Sequence, residues 1–151
     1  MRPERPVAWV TGAAGGIGRA VVAALVADGW TVEATDLATP DPEGSADTRW
    51  SALDVTDERA VERFAARLAT CAAVVHLAGR AGHGPLVELT SAEWRELLDV
   101  NLTSAFLVAR AAARLLAASR GGLVLCASSN GLNGGSALSG PAYAVAKAGI
   151  V

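Results

Sequence analysis

The sequence predicts an α/β protein, a doubly wound parallel sheet with helices on both faces. Three observations carry that expectation. Short apolar runs alternate with amphipathic helical stretches almost from the first residue, a glycine-rich turn joins the first run to the first helix, and no internal repeat or low-complexity linker breaks the alternation. With 151 residues, 52% of them hydrophobic, the chain has the length of one domain and enough apolar surface for a core, so residues 1–151 are expected to form one unit.

Val7 to Thr11 is short and apolar, as a strand covered on both faces must be. Gly12 to Gly18 makes a turn, and Ile17 to Asp28 an apolar-faced helix that Gly29 stops. Trp30 to Thr35 is the second strand. The stretch from Asp36 to Arg49, with Pro40, Pro42 and Gly44, reads as a loop where a helix would otherwise stand. Trp50 to Leu53 is a short third strand. Thr56-Asp57 then caps a helix to about Leu68 that sets Val61, Phe64, Ala65 and Leu68 on one face.

Ala72 to Leu77 is the fourth strand, followed by a flexible segment from Gly79 to Pro85. Thr90-Ser-Ala-Glu93 is a capping box, and helical character continues to about Ser119 with a bend near Asn101. Gly121-Gly122 ends that helix, and Leu123 to Ala127 is the fifth strand. A loop rich in Ser, Asn and Gly, Ser128 to Gly140, leads into a last helix near Pro141, a residue suited to a first turn. The doubly wound plan ordinarily has the strand order 3-2-1-4-5-6, and five strands are counted here.

A net charge of −2 gives no basic excess and argues against a nucleic-acid partner. Cys71 and Cys126 lie far apart and match no metal-ligand spacing; no metal is expected, and both read as reduced packing residues of a cytosolic protein. The N-terminus lacks the apolar core of a signal peptide, and charges or glycines interrupt every apolar stretch before membrane-spanning length. The expectation is a cytoplasmic protein with no membrane partner.

The turn after the first strand is where a dinucleotide pyrophosphate binds in this architecture. Gly12 permits the tight turn, Gly16 and Gly18 permit close approach of backbone and phosphate, and the helix N-terminus offers free N–H groups and a favourable dipole. Asp36, at the end of the second strand, is placed to accept hydrogen bonds from both adenosine ribose hydroxyls and to repel a 2′-phosphate. No basic residue at Gly15 or Leu37 offsets that repulsion, so NAD is favoured over NADP. Asp54-Val55 follows the third strand, where a carboxylate could reach the adenine amino group; helping to start the next helix is the less favoured alternative for Asp54. Tyr143-Ala-Val-Ala-Lys147 puts a phenol and an ammonium on one helix face, one turn apart.

In order and separation, Thr11-Gly-Ala-Ala-Gly-Gly-Ile-Gly18, Leu53-Asp-Val55, His76-Leu-Ala-Gly79, Val100-Asn101, Ser128-Ser129 and Tyr143-Ala-Val-Ala-Lys147 resemble the motifs of the short-chain dehydrogenase/reductase family. The resemblance covers the whole chain. It implies a Rossmann-like fold, a nicotinamide cofactor held by Gly12, Gly16, Ile17, Gly18, Asp36, Asp54, Val55, Ala78, Gly79, Tyr143 and Lys147, and a catalytic set of Asn101, Ser129, Tyr143 and Lys147. Tyr143 would exchange a proton with the substrate oxygen, with the Lys147 charge favouring the phenolate. Lys147 would also bind the ribose hydroxyls, Ser129 the reacting oxygen, and Asn101 a water linking Lys147 to solvent. Ser128 competes with Ser129, because the interval to Tyr143 is slightly longer than the family's usual one.

Where the family usually has Asn-Asn-Ala-Gly this chain has His76-Leu77-Ala78-Gly79, with His76 read as a structural histidine. That wording is also similar to the extended branch of sugar-nucleotide epimerases and dehydratases, and the glycines fit either spacing, through Gly15 or through Gly16. The short interval from Ser129 to Tyr143 favours the simple branch. The implied function is hydride transfer between NAD(H) and an alcohol or ketone, in a family whose members usually pair as homo-oligomers. A full member continues into further strands and a substrate lid, so the chain is expected to be C-terminally truncated, with an open fifth strand and weak activity alone. The alternative is a non-catalytic nucleotide-binding or interaction module.

Overall fold

The structure is a computed structural model that describes residues 5–38 and 46–151; Pro40, Pro42 and Gly44 of the expected loop lie outside the described residues. Five strands, β1 (Val7–Thr11), β2 (Thr31–Asp36), β3 (Thr48–Ala52), β4 (Ala73–His76) and β5 (Gly122–Leu125), form one sheet in the order β3-β2-β1-β4-β5. Every neighbouring pair is parallel. The doubly wound expectation holds through the fifth strand. The far edge of β5 has no strand beside it among the described residues.

Residues of β1 serve the two faces of the sheet alternately, as the period of a strand requires. Trp9 packs with Phe64, Val61 and Val108, its ring centroid 4.9 Å from that of Phe64. Val10 packs on the other face with Val22, Val32 and Ala34. The Trp9 indole N–H donates to Thr35 Oγ1 at 3.0 Å, so this fully buried ring leaves no donor unpaired.

Helix α1 (Gly16–Ala27) covers the Val10 face, whereas α2 (Glu58–Ala66) and α4 (Ser104–Ser119) cover the Trp9 face. Asp57, rather than Thr56, caps α2, its carboxylate accepting from Ala60 N–H at 3.0 Å. The expected capping box at Thr90 and Glu93 is formed and opens α3 (Ser91–Leu98). The expected bend near Asn101 is a π-helical turn, Asp99–Thr103, that joins α3 to α4. Side chains serve the carbonyls of this widened turn: Asn101 Nδ2 donates to Leu97 O at 3.0 Å and Ser104 Oγ to Val100 O at 2.8 Å.

The continuous helical run Ser91–Ser119 has 29 residues and an 18-residue stretch of it has a mean hydropathy of 1.3, so by length and composition alone it is long and apolar enough to cross a membrane, although Asp99, Arg110 and Arg114 interrupt it. In the fold it lies across the sheet: Leu107, Val108 and Ala112 enter the core, and Arg110 pairs with Glu58 and Glu62 of α2.

Other boundaries move with their partners. β3 begins at Thr48, two residues ahead of Trp50, because it pairs along β2 from Val32 to Asp36. β5 ends at Leu125 because its neighbour β4 ends at His76. A 3-10 turn at Leu86–Glu88 and a four-residue helix, α5 (Asn130–Asn133), were not expected. The last helix, α6, spans Gly140–Ala148.

Candidate active site

From β1 the chain moves outward to β2 and β3, then returns to the other side of β1 as β4. The loops leaving β1 and β4 therefore diverge, and a crevice opens at their carboxyl ends. A cleft of about 420 Å³ lies there, lined by Gly12, Asp36, Asp54, Val55, Ala78 and Gly79, all expected as cofactor residues. Ala14, Leu37, Arg80 and Val100 also line it. Ala14 and Val100 belong to the quoted motifs and Leu37 and Arg80 adjoin Asp36 and Gly79, but none of the four was expected as a cofactor residue.

Steric closure shapes the glycine turn. Gly12 has φ +64°, and a Cβ there would stand 2.6 Å from Ala78 N. A Cβ on Gly18 would stand 2.2 Å from Gly12 O, whereas one on Gly16 would meet nothing within 4 Å. Gly16, Ile17 and Gly18 are not cleft walls; they form the first turn of α1. Gly15 at its N-cap brings no side chain, and no side-chain hydrogen bond caps the helix. Such a helix start leaves N–H groups available to an anion, so the residues present fit a dinucleotide's phosphates.

The Asp36 carboxylate is fixed at the cleft wall, accepting from Ala14 N–H at 2.9 Å and Leu37 N–H at 2.8 Å. Asp54 lines the cleft and also holds the turn before α2, its Oδ1 accepting from Thr56 N–H at 2.8 Å and Oγ1 at 2.7 Å.

At the β4 end of the cleft, Asn101 and Lys147 converge on Gly79. A Cβ on Gly79 would stand 2.6 Å from Asn101 Oδ1 and 3.8 Å from Lys147 Nζ. Lys147 is buried, 7% exposed, and its ammonium donates to Cys126 O at 2.6 Å. Burial lowers its pKa from the ordinary lysine value. Its Nζ lies 5.8 Å from the Tyr143 ring centroid. Asn101 is committed to the backbone: Nδ2 donates to Arg80 O at 2.9 Å as well as to Leu97 O, and Oδ1 accepts from Arg80 N–H at 3.2 Å.

Ser129 is exposed and immediately precedes α5. α5 packs on α6 at Gly131, where a Cβ would stand 2.6 Å from Ala148 N, so only glycine allows this approach. The competing Ser128 uses its Oγ to accept from Asn130 N–H at 3.2 Å.

Two groups around the site escaped the sequence reading. Ser139 is buried; its Oγ accepts from Asn130 Nδ2 at 2.8 Å and Ser136 N–H at 3.2 Å, and its carbonyl accepts from Gly82 N–H at 2.9 Å. Nothing local marked it among the serines of its loop. Ser104 meets His76, whose other ring nitrogen meets Thr11. Burial, and then the Lys147 charge, push the His76 pKa down to about 4. Cys71 and Cys126 are free, and burial raises the Cys71 thiol. Among the described residues no group of three or more His, Cys, Asp or Glu could hold a metal ion.

Known proteins resemble this chain in sequence and in fold. Short chain dehydrogenase NotP′ of Aspergillus versicolor is 34% identical over 160 residues, covering 93% of this chain and 55% of that protein. A (3R)-3-hydroxyacyl-CoA dehydrogenase of Canis lupus familiaris is 32% identical over 176 residues, covering all of this chain and 66% of that protein. The chain thus spans between about half and two thirds of the length of these curated relatives. The crystal structure of a short chain dehydrogenase from Leptospira borgpetersenii, with bound NAD+, superposes with a TM-score of 0.90 over 97% of this chain and 62% of that one. At 24% identity that likeness speaks for the fold alone. The sequence profile of the short chain dehydrogenases matches residues 6–151, nearly the whole chain, and the protein therefore belongs to the short-chain dehydrogenase/reductase family.

Proposed function

We propose that residues 1–151 form the dinucleotide-binding domain of an oxidoreductase that moves a hydride between NAD(H) and an alcohol or ketone. The observation that carries this reading is the convergence of Lys147 and Asn101 on Gly79, at one end of the cleft whose other walls are Gly12 and Asp36. Bound NAD supplies the hydride chemistry; the chain's residues supply placement and proton transfer.

The turn at Gly12, Gly16, Ile17 and Gly18 would take the pyrophosphate, with Asp54, Val55, Ala78 and Gly79 walling the nucleotide. Asp36, held by two backbone N–H groups, would accept from the ribose hydroxyls and repel a 2′-phosphate, which favours NAD over NADP. An ammonium has three donors, and Lys147 gives one to Cys126 O, leaving two for ribose hydroxyls. Tyr143, whose ring lies beside that ammonium, would exchange a proton with the substrate oxygen. Ser129 would hydrogen-bond that oxygen. Asn101 Oδ1 keeps one lone pair beyond its bond from Arg80, enough to accept from a water leading out from Lys147. The hydroxyacyl-CoA dehydrogenase named among the relatives supports a secondary alcohol and its ketone as the small-molecule substrate pair.

The test is Tyr143→Phe, assayed by ketone-dependent NADH oxidation. Turnover should fall at least about a hundredfold, the usual loss of a general acid, while NADH binding is spared. Turnover within a few-fold of the parent would remove Tyr143 from this role.

A further inference from the structure

We propose that His76 is a positioning residue whose imidazole clamps the start of the Gly12 turn to the π-helical turn that carries Asn101. His76 stands at the end of β4, 3% exposed, between two fully buried hydroxyls. Thr11, the last residue of β1, puts its Oγ1 2.8 Å from Nδ1, and Ser104, at the start of α4, puts its Oγ 3.0 Å from Nε2.

The neighbours fix the direction of every proton. Ser104 Oγ donates to Val100 O at 2.8 Å, so towards the ring it acts as an acceptor and Nε2 carries the hydrogen. Nδ1 is then the bare nitrogen and accepts from Thr11 Oγ1. That hydroxyl in turn accepts from Ala78 N–H at 3.4 Å. The chain of donors runs one way, from the Ala78 amide through Thr11, His76 and Ser104 to the Val100 carbonyl, and no member is left unpaired. A protonated ring would set a second donor against Thr11, and burial keeps the ring neutral, with a pKa of about 4.

Each end of the clamp lies beside an element of the cleft. Thr11 precedes Gly12, and Val100 and Asn101 share the π turn with the carbonyl where the chain of donors ends. An aliphatic residue of equal size would fill the space and fix neither turn. Lys147 is the ionisable group that acts on the ring, and its charge opposes protonation further. The consequence for NADH affinity rests on the function proposed above; the clamp does not.

Imidazole 15N NMR of the wild-type chain gives the direct test. Neutral His76 with the hydrogen on Nε2 is expected from pH 8 down to about pH 5, whereas an Nδ1–H tautomer or a midpoint near 6.5 would overturn the clamp. Amide hydrogen exchange of two variants adds a readout that simple packing would not give. An Asn amide oxygen can replace Nδ1 and a Gln amide nitrogen can replace Nε2. In His76→Asn the Ala78 amide should keep its protection while Arg80 N–H, held by Asn101, exchanges roughly tenfold faster; His76→Gln should show the reverse. Equal loosening of both amides in both variants, or loosening of neither, contradicts the clamp. NADH titration of the same proteins should show severalfold weaker binding by both variants. If the wild-type chain binds no NADH, the cofactor reading fails and the clamp still stands or falls on the exchange pattern.

Discussion

The turn after β1 and the loop before α6 are both rich in glycine, yet they hold their shapes by different balances of contact and hydrogen bonding. Gly12 to Gly18 is closed by contact: a Cβ at either end would strike backbone at 2.2–2.6 Å. The loop from Ser128 to Gly140 is tied by small hydroxyls and amides, with Ser139 Oγ gathering Asn130 and Ser136, and it leaves Leu132 79% and Leu138 88% exposed. The first region cannot accept an added atom at Gly12 or Gly18, but it depends on few polar side chains. The second is closed by contact at Gly131, where a Cβ would stand 2.6 Å from Ala148 N, and depends on its hydroxyls elsewhere. The glycine turn is thus held by packing, while the segment bearing Ser129 is held by hydrogen bonds together with the close approach at Gly131.

Gly18→Ala should have the largest effect. The methyl meets the backbone of Gly12 and Ala13, which cannot give way as a flexible side chain could, and the loss should be about 3 kcal/mol in urea unfolding, with NADH binding abolished. Wild-type stability with NADH binding in this variant would break the comparison on the cradle side.

His76, which ties the start of the glycine turn to the π turn, predicts a pH dependence. Its folded pKa of about 4 lies below the ordinary 6.5, so the unfolded chain binds the extra proton between those values. The contribution is full above pH 6.5 and is lost as pH falls towards 4, on the order of 2–3 kcal/mol. Urea unfolding at pH 4.5 and 7.5 should show that difference in the wild type and a flatter one in His76→Gln. Equal slopes would mean that the ring titrates alike in both states.

Ser139→Ala sharpens the loop side. It leaves the Asn130 amide without its acceptor and should cost about 1–2 kcal/mol. Turnover should fall with NADH affinity unchanged; a parallel loss of affinity would mean that the two regions are not separately built. Gly16→Ala should change stability least, by about 0.5–1 kcal/mol in the favourable direction, because alanine suits a helix and the methyl meets nothing. NADH affinity should nevertheless drop, since that open space is where phosphate would lie.

The same contrast explains what could be read in advance. β1, the glycine turn and the capping box at Thr90 rest on local pattern and were legible residue by residue. Asp36, Asp54 and Gly79 could be placed because each lies at the end of a strand or within three residues of it. The π turn, α5 and the end of β5 depend on partners distant in sequence: Asn101 on Arg80, Gly131 on Ala148, Leu125 on His76. Periodicity carries no trace of such pairings. Ser104 and Ser139 were invisible for the same reason, since a serine's neighbours decide whether it organises a site or merely faces water.

The central claim, that the cleft between β1 and β4 holds NAD through Asp36, is tested most directly by fluorescence titration of the folded chain with NADH and NADPH. The account predicts saturable NADH binding, weaker NADPH binding, and a narrowed difference between them in Asp36→Ala. Absence of saturable NADH binding by the folded wild-type chain, or equal affinity for both nucleotides that Asp36→Ala leaves unchanged, would contradict it.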